Sequence, residues 1–133
     1  MRWTSSLRTG NSVVDEEHKA LIGLIDELEF VGAGPDGSKV GDALDQLTDY
    51  VFVHFQMEEK LMRREEYPVD RFEDHRAQHH GLASKTRDLV AKYEDGTLTS
   101  VDPIVEFLYD WFQNHIATTD TAMAQYIRAR HEG

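Results

Sequence analysis

The chain has 133 residues, 40% of them apolar, which suits one domain around a single core. Its 25 acidic residues against 14 Lys and Arg give a formal net charge of -11, a surface that repels nucleic acid and anionic membranes. No cysteine is present, which excludes disulfides, thiolate metal sites and iron–sulfur clusters; no apolar run is long enough to cross a bilayer, and Met1 to Asn11 lacks the apolar stretch of a signal peptide, so a cytoplasmic location is expected.

An N-terminal arm, residues 1–11, shows no periodicity, and its Trp3 and Leu7 are expected to pack over the helical part of the chain. The first helix is predicted over 12–31, on an inward stripe of Val14, His18, Leu21, Ile25 and Leu28 in alternating steps of four and three. The glycines and proline of residues 32–38 end it in a loop. The second helix is predicted over 39–65, with Val40, Leu44, Leu47, Val51, His54, Glu58 and Leu61 as its stripe. Tyr67-Pro68 ends it, because proline has no donor and disfavours α geometry in the residue before it. The third, over 70–95, begins at Asp70 as N-cap, with Glu73 placed as in a capping box. Its stripe is Phe72, His75, His79, Leu82, Thr86, Leu89 and Tyr93. The fourth, over 102–130, has Pro103 in its first turn and a stripe of Ile104, Leu108, Trp111, His115, Thr118 and Ala122.

Four long helices joined by short loops predict an all-α fold, an up-down-up-down four-helix bundle with an N-terminal arm, spanning residues 1–133 as one domain. In antiparallel order, the start of the first helix lies beside the end of the second, the start of the third and the end of the fourth. At a rise of about 1.5 Å per residue, His18, His54, Glu58, His75, His79, His115 and Asp120 then fall in one layer toward one end of the bundle.

A bare imidazole or carboxylate in an apolar stripe is costly to bury, and the cost is tolerable if these side chains converge on metal ions. His54 and Glu58 are four apart and share a helix face, as do His75 and His79. His115 and Asp120 are five apart, so Asp120 is expected to reach in from the flank of its stripe, the weakest geometric link of the set. A single inward histidine is more often a hydrogen-bonded core residue than a ligand; five of the seven histidines on inward positions, with Glu58 among them, call for another explanation. Two octahedral ions offer about twelve positions. Five imidazoles, two bridging carboxylates and one bridging oxide or hydroxide leave about one of those open, enough for a small ligand such as dioxygen. Nitrogen and oxygen donors suit iron, manganese or zinc, and geometry does not choose among them. The histidine-rich set differs from the four-Glu, Glu-x-x-His pattern of ferritin-like sites and favours milder oxygen chemistry. His80 and His131 fall off the stripes and are expected to be solvated; Glu16, Glu17, Glu59 and Glu66 read as a solvated face, and Met57 and Met62 as gap fillers.

The ordered set Asp15-Glu16-Glu17-His18-Lys19, His54-Phe55-Gln56-Met57-Glu58, His75-Arg76-Ala77-Gln78-His79 and His115-Ile116-Ala117-Thr118-Thr119-Asp120, with Tyr67-Pro68 and Trp111, resembles the hemerythrin family, in particular its bacterial members, over nearly the whole chain. The resemblance implies a non-haem di-iron centre with an oxo or hydroxo bridge. His75, His79 and His115 would hold one iron, His18 and His54 the other, and Glu58 and Asp120 would bridge. It further implies reversible dioxygen binding at the iron with two histidines, for storage, delivery or scavenging, with Phe55, Trp111 and Ile116 as pocket walls. One departure is Met123, where many bacterial members have Tyr three residues after the bridging Asp; Tyr126 comes a turn later. The expected role is a binding protein rather than an enzyme. The alternatives are an oxygen or redox sensor, against which the lack of an attached signalling domain counts, and a di-iron peroxidase, oxidase or nitric oxide-handling enzyme, for which Thr118 and Thr119 could deliver protons.

Overall fold

The computed structural model describes residues 3–35 and 37–132; Met1 and Arg2 of the arm, Asp36 of the first loop and Gly133 lie outside the described residues. Four rods make the bundle: α1 (Ser12–Gly32), α2 (Ser38–Arg64), α3 (Val69–Glu94), and a fourth built from α4 (Asp102–His115), a π-helical turn (Ile116–Asp120) and α5 (Thr121–Glu132). The rod α1 packs on α2 and α4, α2 on α3, and α3 on α4, which closes the four-membered ring expected of an up-down-up-down order. No helix among the described residues is long and apolar enough to cross a membrane.

Local chemistry explains the ends. The Asn11 side chain accepts from the backbone N–H groups of Val13 and Val14 at 3.1 Å each, capping α1; such a cap stabilises by about 1 kcal/mol. Asp15, buried in the first turn, accepts from both the backbone N–H and the hydroxyl of Thr9 at 2.8 Å. That clasp returns the arm to the bundle, where Leu7 enters the core and Trp3 packs against it. At the end of α2, Glu66 takes φ of 55°, the left-handed conformation usually left to glycine, and the Tyr126 hydroxyl donates to its carbonyl at 2.8 Å. The start of α3 departs from the expectation: Pro68, not Asp70, occupies the N-cap position, and no side chain caps the helix. Asp70 sits inside the first turn, where its charge still favours the helix dipole. Pro103 lies in the first turn of α4, as expected.

Two apolar clusters form along the bundle. The larger runs from Leu21, Ile25, Leu47, Leu82 and Leu108 up to Phe55, Phe112 and Ile116. The smaller joins Val14, Met62, Tyr67, Met123 and Ile127. His18, His54, Glu58, His75, His79, His115 and Asp120, all buried, lie where the two clusters meet along the rods, so a polar layer is sandwiched in hydrocarbon.

The π-helical turn decides how that layer closes. Its bonds run from residue i+5 back to i, as from the Thr121 N–H to the Ile116 carbonyl. The Thr121 hydroxyl reinforces that carbonyl at 2.8 Å, and the Thr118 hydroxyl takes the Asn114 carbonyl at 2.7 Å. In an uninterrupted α-helix, residues five apart lie about 140° apart around the axis. The wider turn brings His115 and Asp120 back onto one face, which removes the misalignment that the spacing alone suggests.

Candidate metal centre

All seven predicted residues meet in the layer, each no more than 3% exposed. Glu58 stands in the middle and divides them. One of its oxygens, Oε2, lies 3.3 Å from His18 Nε2 and 3.0 Å from His54 Nε2. The other, Oε1, lies 3.2 Å from His75 Nε2 and 3.1 Å from His79 Nε2. Asp120 divides in the same way: Oδ2 is 3.0 Å from His18 Nε2, while Oδ1 is 3.0 Å from His75 Nε2 and 3.2 Å from His115 Nε2. Two donor groups result, one of His18 and His54, one of His75, His79 and His115, and both carboxylates belong to both.

The donor set fits a pair of cations. His54 Nε2, His115 Nε2 and both Asp120 oxygens are buried and make no aligned hydrogen bond, although their neighbours stand at hydrogen-bonding distance. Such near approaches without alignment are what donors aimed at a shared point produce, and an orphaned buried polar atom is otherwise costly. All five imidazoles turn Nε2 toward the carboxylates, so each must carry its proton on Nδ1 to be a ligand. Three of these Nδ1 atoms have partners: His54 donates to Glu17 at 3.2 Å, His79 to Glu59 at 3.1 Å and His115 to Gln78 at 2.8 Å. Partners of this kind fix tautomer and ring orientation.

Glu17 and Glu59 therefore overturn their reading as a solvated face; both are largely covered and serve the site. Glu16 and Glu66 are exposed, as expected. Gln78 had no role on sequence grounds. The signal for all three is adjacency, since Glu17 precedes His18, Glu59 follows Glu58 and Gln78 precedes His79. Each nonetheless serves a histidine on a different helix, and spacing along one chain does not encode that pairing. His80 is exposed; His131 is also exposed, but its Nε2 lies 2.7 Å from Glu65 Oε1.

Without cations the layer is a network of charges. Burial would lower the His54 and His75 pKa values, but the surrounding carboxylates outweigh it and push them up to about 10 and about 9. His18 moves the same way, burial being outweighed by the neighbouring Asp120 and Glu58 carboxylates. Burial wins at His115 and lowers it. Burial would raise Glu58 and Asp120, and Glu58 raises Asp120 further, yet the imidazoles hold both below the usual carboxylate range.

Aromatic rings cover one side. Phe55 lies flat on His79, centroids 3.8 Å apart and 6° from parallel, and Trp111 stacks on His115 at 4.2 Å. Ile116 is fully buried beside them. The rings thus back the three-histidine group, whereas the resemblance sets these walls at the two-histidine iron; of the two rings, Phe55 also approaches His54, centroids 6.0 Å apart. Met123 is buried in the smaller apolar cluster, and the Tyr126 hydroxyl is engaged at the α2–α3 turn, away from the layer.

Comparison with known proteins bears on what such a centre is. The family model of the hemerythrin HHE cation binding domain matches residues 9–127. A bacteriohemerythrin of Methylococcus capsulatus is 32% identical over 121 residues, covering 90% of this chain and 91% of the relative. A hemerythrin-like protein of Naegleria gruberi is 30% identical, over 89% of this chain and 86% of its own. A crystal structure of a wild-type hemerythrin superposes with a TM-score of 0.85 at 31% identity, covering 96% of this chain and 97% of the other. By the extent of the matched domain, these identities and the shared fold, the chain belongs to the hemerythrin family.

Proposed function

We propose that the seven residues hold two iron ions, joined by Glu58, Asp120 and an oxide or hydroxide, and that the centre binds dioxygen reversibly, for storage, delivery or scavenging of the gas in the cytoplasm. The observation that carries this reading is the division at Glu58, whose two oxygens face two different imidazole groups. His75, His79 and His115 would hold one ion and His18 and His54 the other. The second group offers one imidazole fewer, so an open coordination position would fall there. When bound, the iron pair would supply the two-electron chemistry that reversible dioxygen binding requires.

The protein's own part is to hold and to shield. Glu17, Glu59 and Gln78 keep three imidazoles in the ligand tautomer. Phe55, Trp111 and Ile116 keep water from the three-histidine side, and Val14, Met62 and Met123 close the opposite end with hydrocarbon. A dry surround slows proton delivery and so favours release of the gas over its reduction. This is the behaviour of a binding protein rather than an enzyme.

The test is spectroscopic. Protein loaded with ferrous iron under nitrogen and then exposed to air should develop near-ultraviolet and visible charge-transfer bands that disappear on deoxygenation through several cycles. Conversion to a stable ferric form within the first cycle would overturn reversible binding and favour a sensor or an oxidase.

A further inference from the structure

The π-helical turn is the costly part of the fourth rod, because its hydrogen-bond geometry is poorer than that of the α-helix on either side. The bonds from Thr118 and Thr121 lie within the rod itself. Besides His18 and His75, which lie against the Asp120 carboxylate that ends the turn, one more side chain of α3 reaches it. Gln78 Oε1, on α3, accepts from His115 Nδ1 at 2.8 Å and from the Thr119 hydroxyl at 2.9 Å. It therefore grips the residue just before the turn and a residue inside it. The amide cannot be reversed, because its Nε2 donates at 3.1 Å to Asp74 Oδ2, a carboxylate oxygen that only accepts.

We infer that Gln78 is a positioning residue that clips the π-helical turn to α3 through Thr119 and so holds Asp120 on the face it shares with His115. Relaxation of the turn toward α geometry would carry Asp120 about 140° around the axis from His115, taking the second carboxylate out of both donor groups. The inference rests on the metal reading for its consequence, but the clip itself belongs to the metal-free fold.

The test separates the clip from simple orientation of His115. Thr119→Val keeps the His115–Gln78 bond and the side-chain shape but deletes the tie to the turn; Gln78→Leu deletes both. Thr48→Val, which removes a half-buried threonine hydroxyl bonded to its own helix, is the control. In metal-free protein, amide hydrogen exchange over residues 116–121 should quicken about fivefold in Thr119→Val, the factor of one net hydrogen bond, and more in Gln78→Leu, with Thr48→Val unchanged. Titration with cobalt(II) under a competing chelator should show pair binding weakened about tenfold in Thr119→Val, with stronger d–d absorption as a carboxylate leaves an octahedral ion. Wild-type exchange and cobalt affinity in Thr119→Val beside a weakened Gln78→Leu would overturn the clip, and so would an equal acceleration in Thr48→Val. Because exchange is read without metal, a wild type that binds no cobalt pair would sink the metal reading and leave that measurement to judge the clip.

Discussion

Replacing Glu58 by Gln in the metal-free protein tests the electrostatics of the layer directly. The side chain is fully buried and has four imidazole Nε2 atoms within 3.0–3.3 Å. His54 and His75, with pKa values raised from 6.5 to about 10 and about 9, are protonated near neutrality and depend on this charge. Their stabilisation is complete below pH 6.5 and is lost as the pH climbs through 9 and 10. An amide of the same shape leaves buried cations short of a counter-charge, a change that costs about 3–5 kcal/mol. Asp120 remains ionised beside them, so the lower figure is expected. The loss should be about 3 kcal/mol at pH 6, or a fall of roughly 10 °C in Tm. It should shrink to about 1 kcal/mol near pH 10, where His75 is largely neutral and His54 about half so. Urea unfolding followed by circular dichroism with a chelator present, at both pH values, gives the two numbers. An equal loss at both, or wild-type stability at pH 6, would refute the charge network.

Three further outcomes are expected. His54→Ala should lose stoichiometric binding of an iron pair while His80→Ala, altered at an exposed position, retains it; equal iron content by elemental analysis would contradict the assignment. Loading the metal pair at pH 8 should release about two protons from His54 and His75 in addition to those lost by the water that becomes the bridge, so that apparent affinity rises at least roughly a hundredfold per pH unit there; calorimetry in buffers of different ionisation enthalpy counts them, and a release no greater than the bridge supplies would show the imidazoles neutral beforehand. Phe55→Ala removes a ring stacked on His79 and should destabilise by about 3–4 kcal/mol in urea unfolding, with faster loss of reversible oxygen binding in repeated cycles; a variant as stable and as durable as the parent would show that the ring neither packs nor shields.

Much of the molecule is legible in the order of its residues. Apolar positions recurring every three or four residues are a local property, so the stripes of the four rods, the proline and glycine breaks and the shared level of His18, His54, Glu58, His75, His79, His115 and Asp120 come from spacing and rise alone. The seven candidate donors were readable because burying them in hydrocarbon is expensive without a common partner, and the structure gathers all seven.

What only the packed chain decided lies across helices or in a departure from helical regularity. Glu17 and Glu59 read as surface residues, and Gln78 carries no signal of its own, because each turns toward a histidine of another rod and no periodicity records that. Pro68 rather than Asp70 opens α3, because local cap preferences are weak beside the geometry imposed where the chain turns into the bundle. The spacing of five between His115 and Asp120 looked like a fault in the site. The tertiary structure absorbs it with a π-helical turn, a conformation too costly for local propensity to announce and sustained by bonds that exist only once α3 and the fourth rod are side by side.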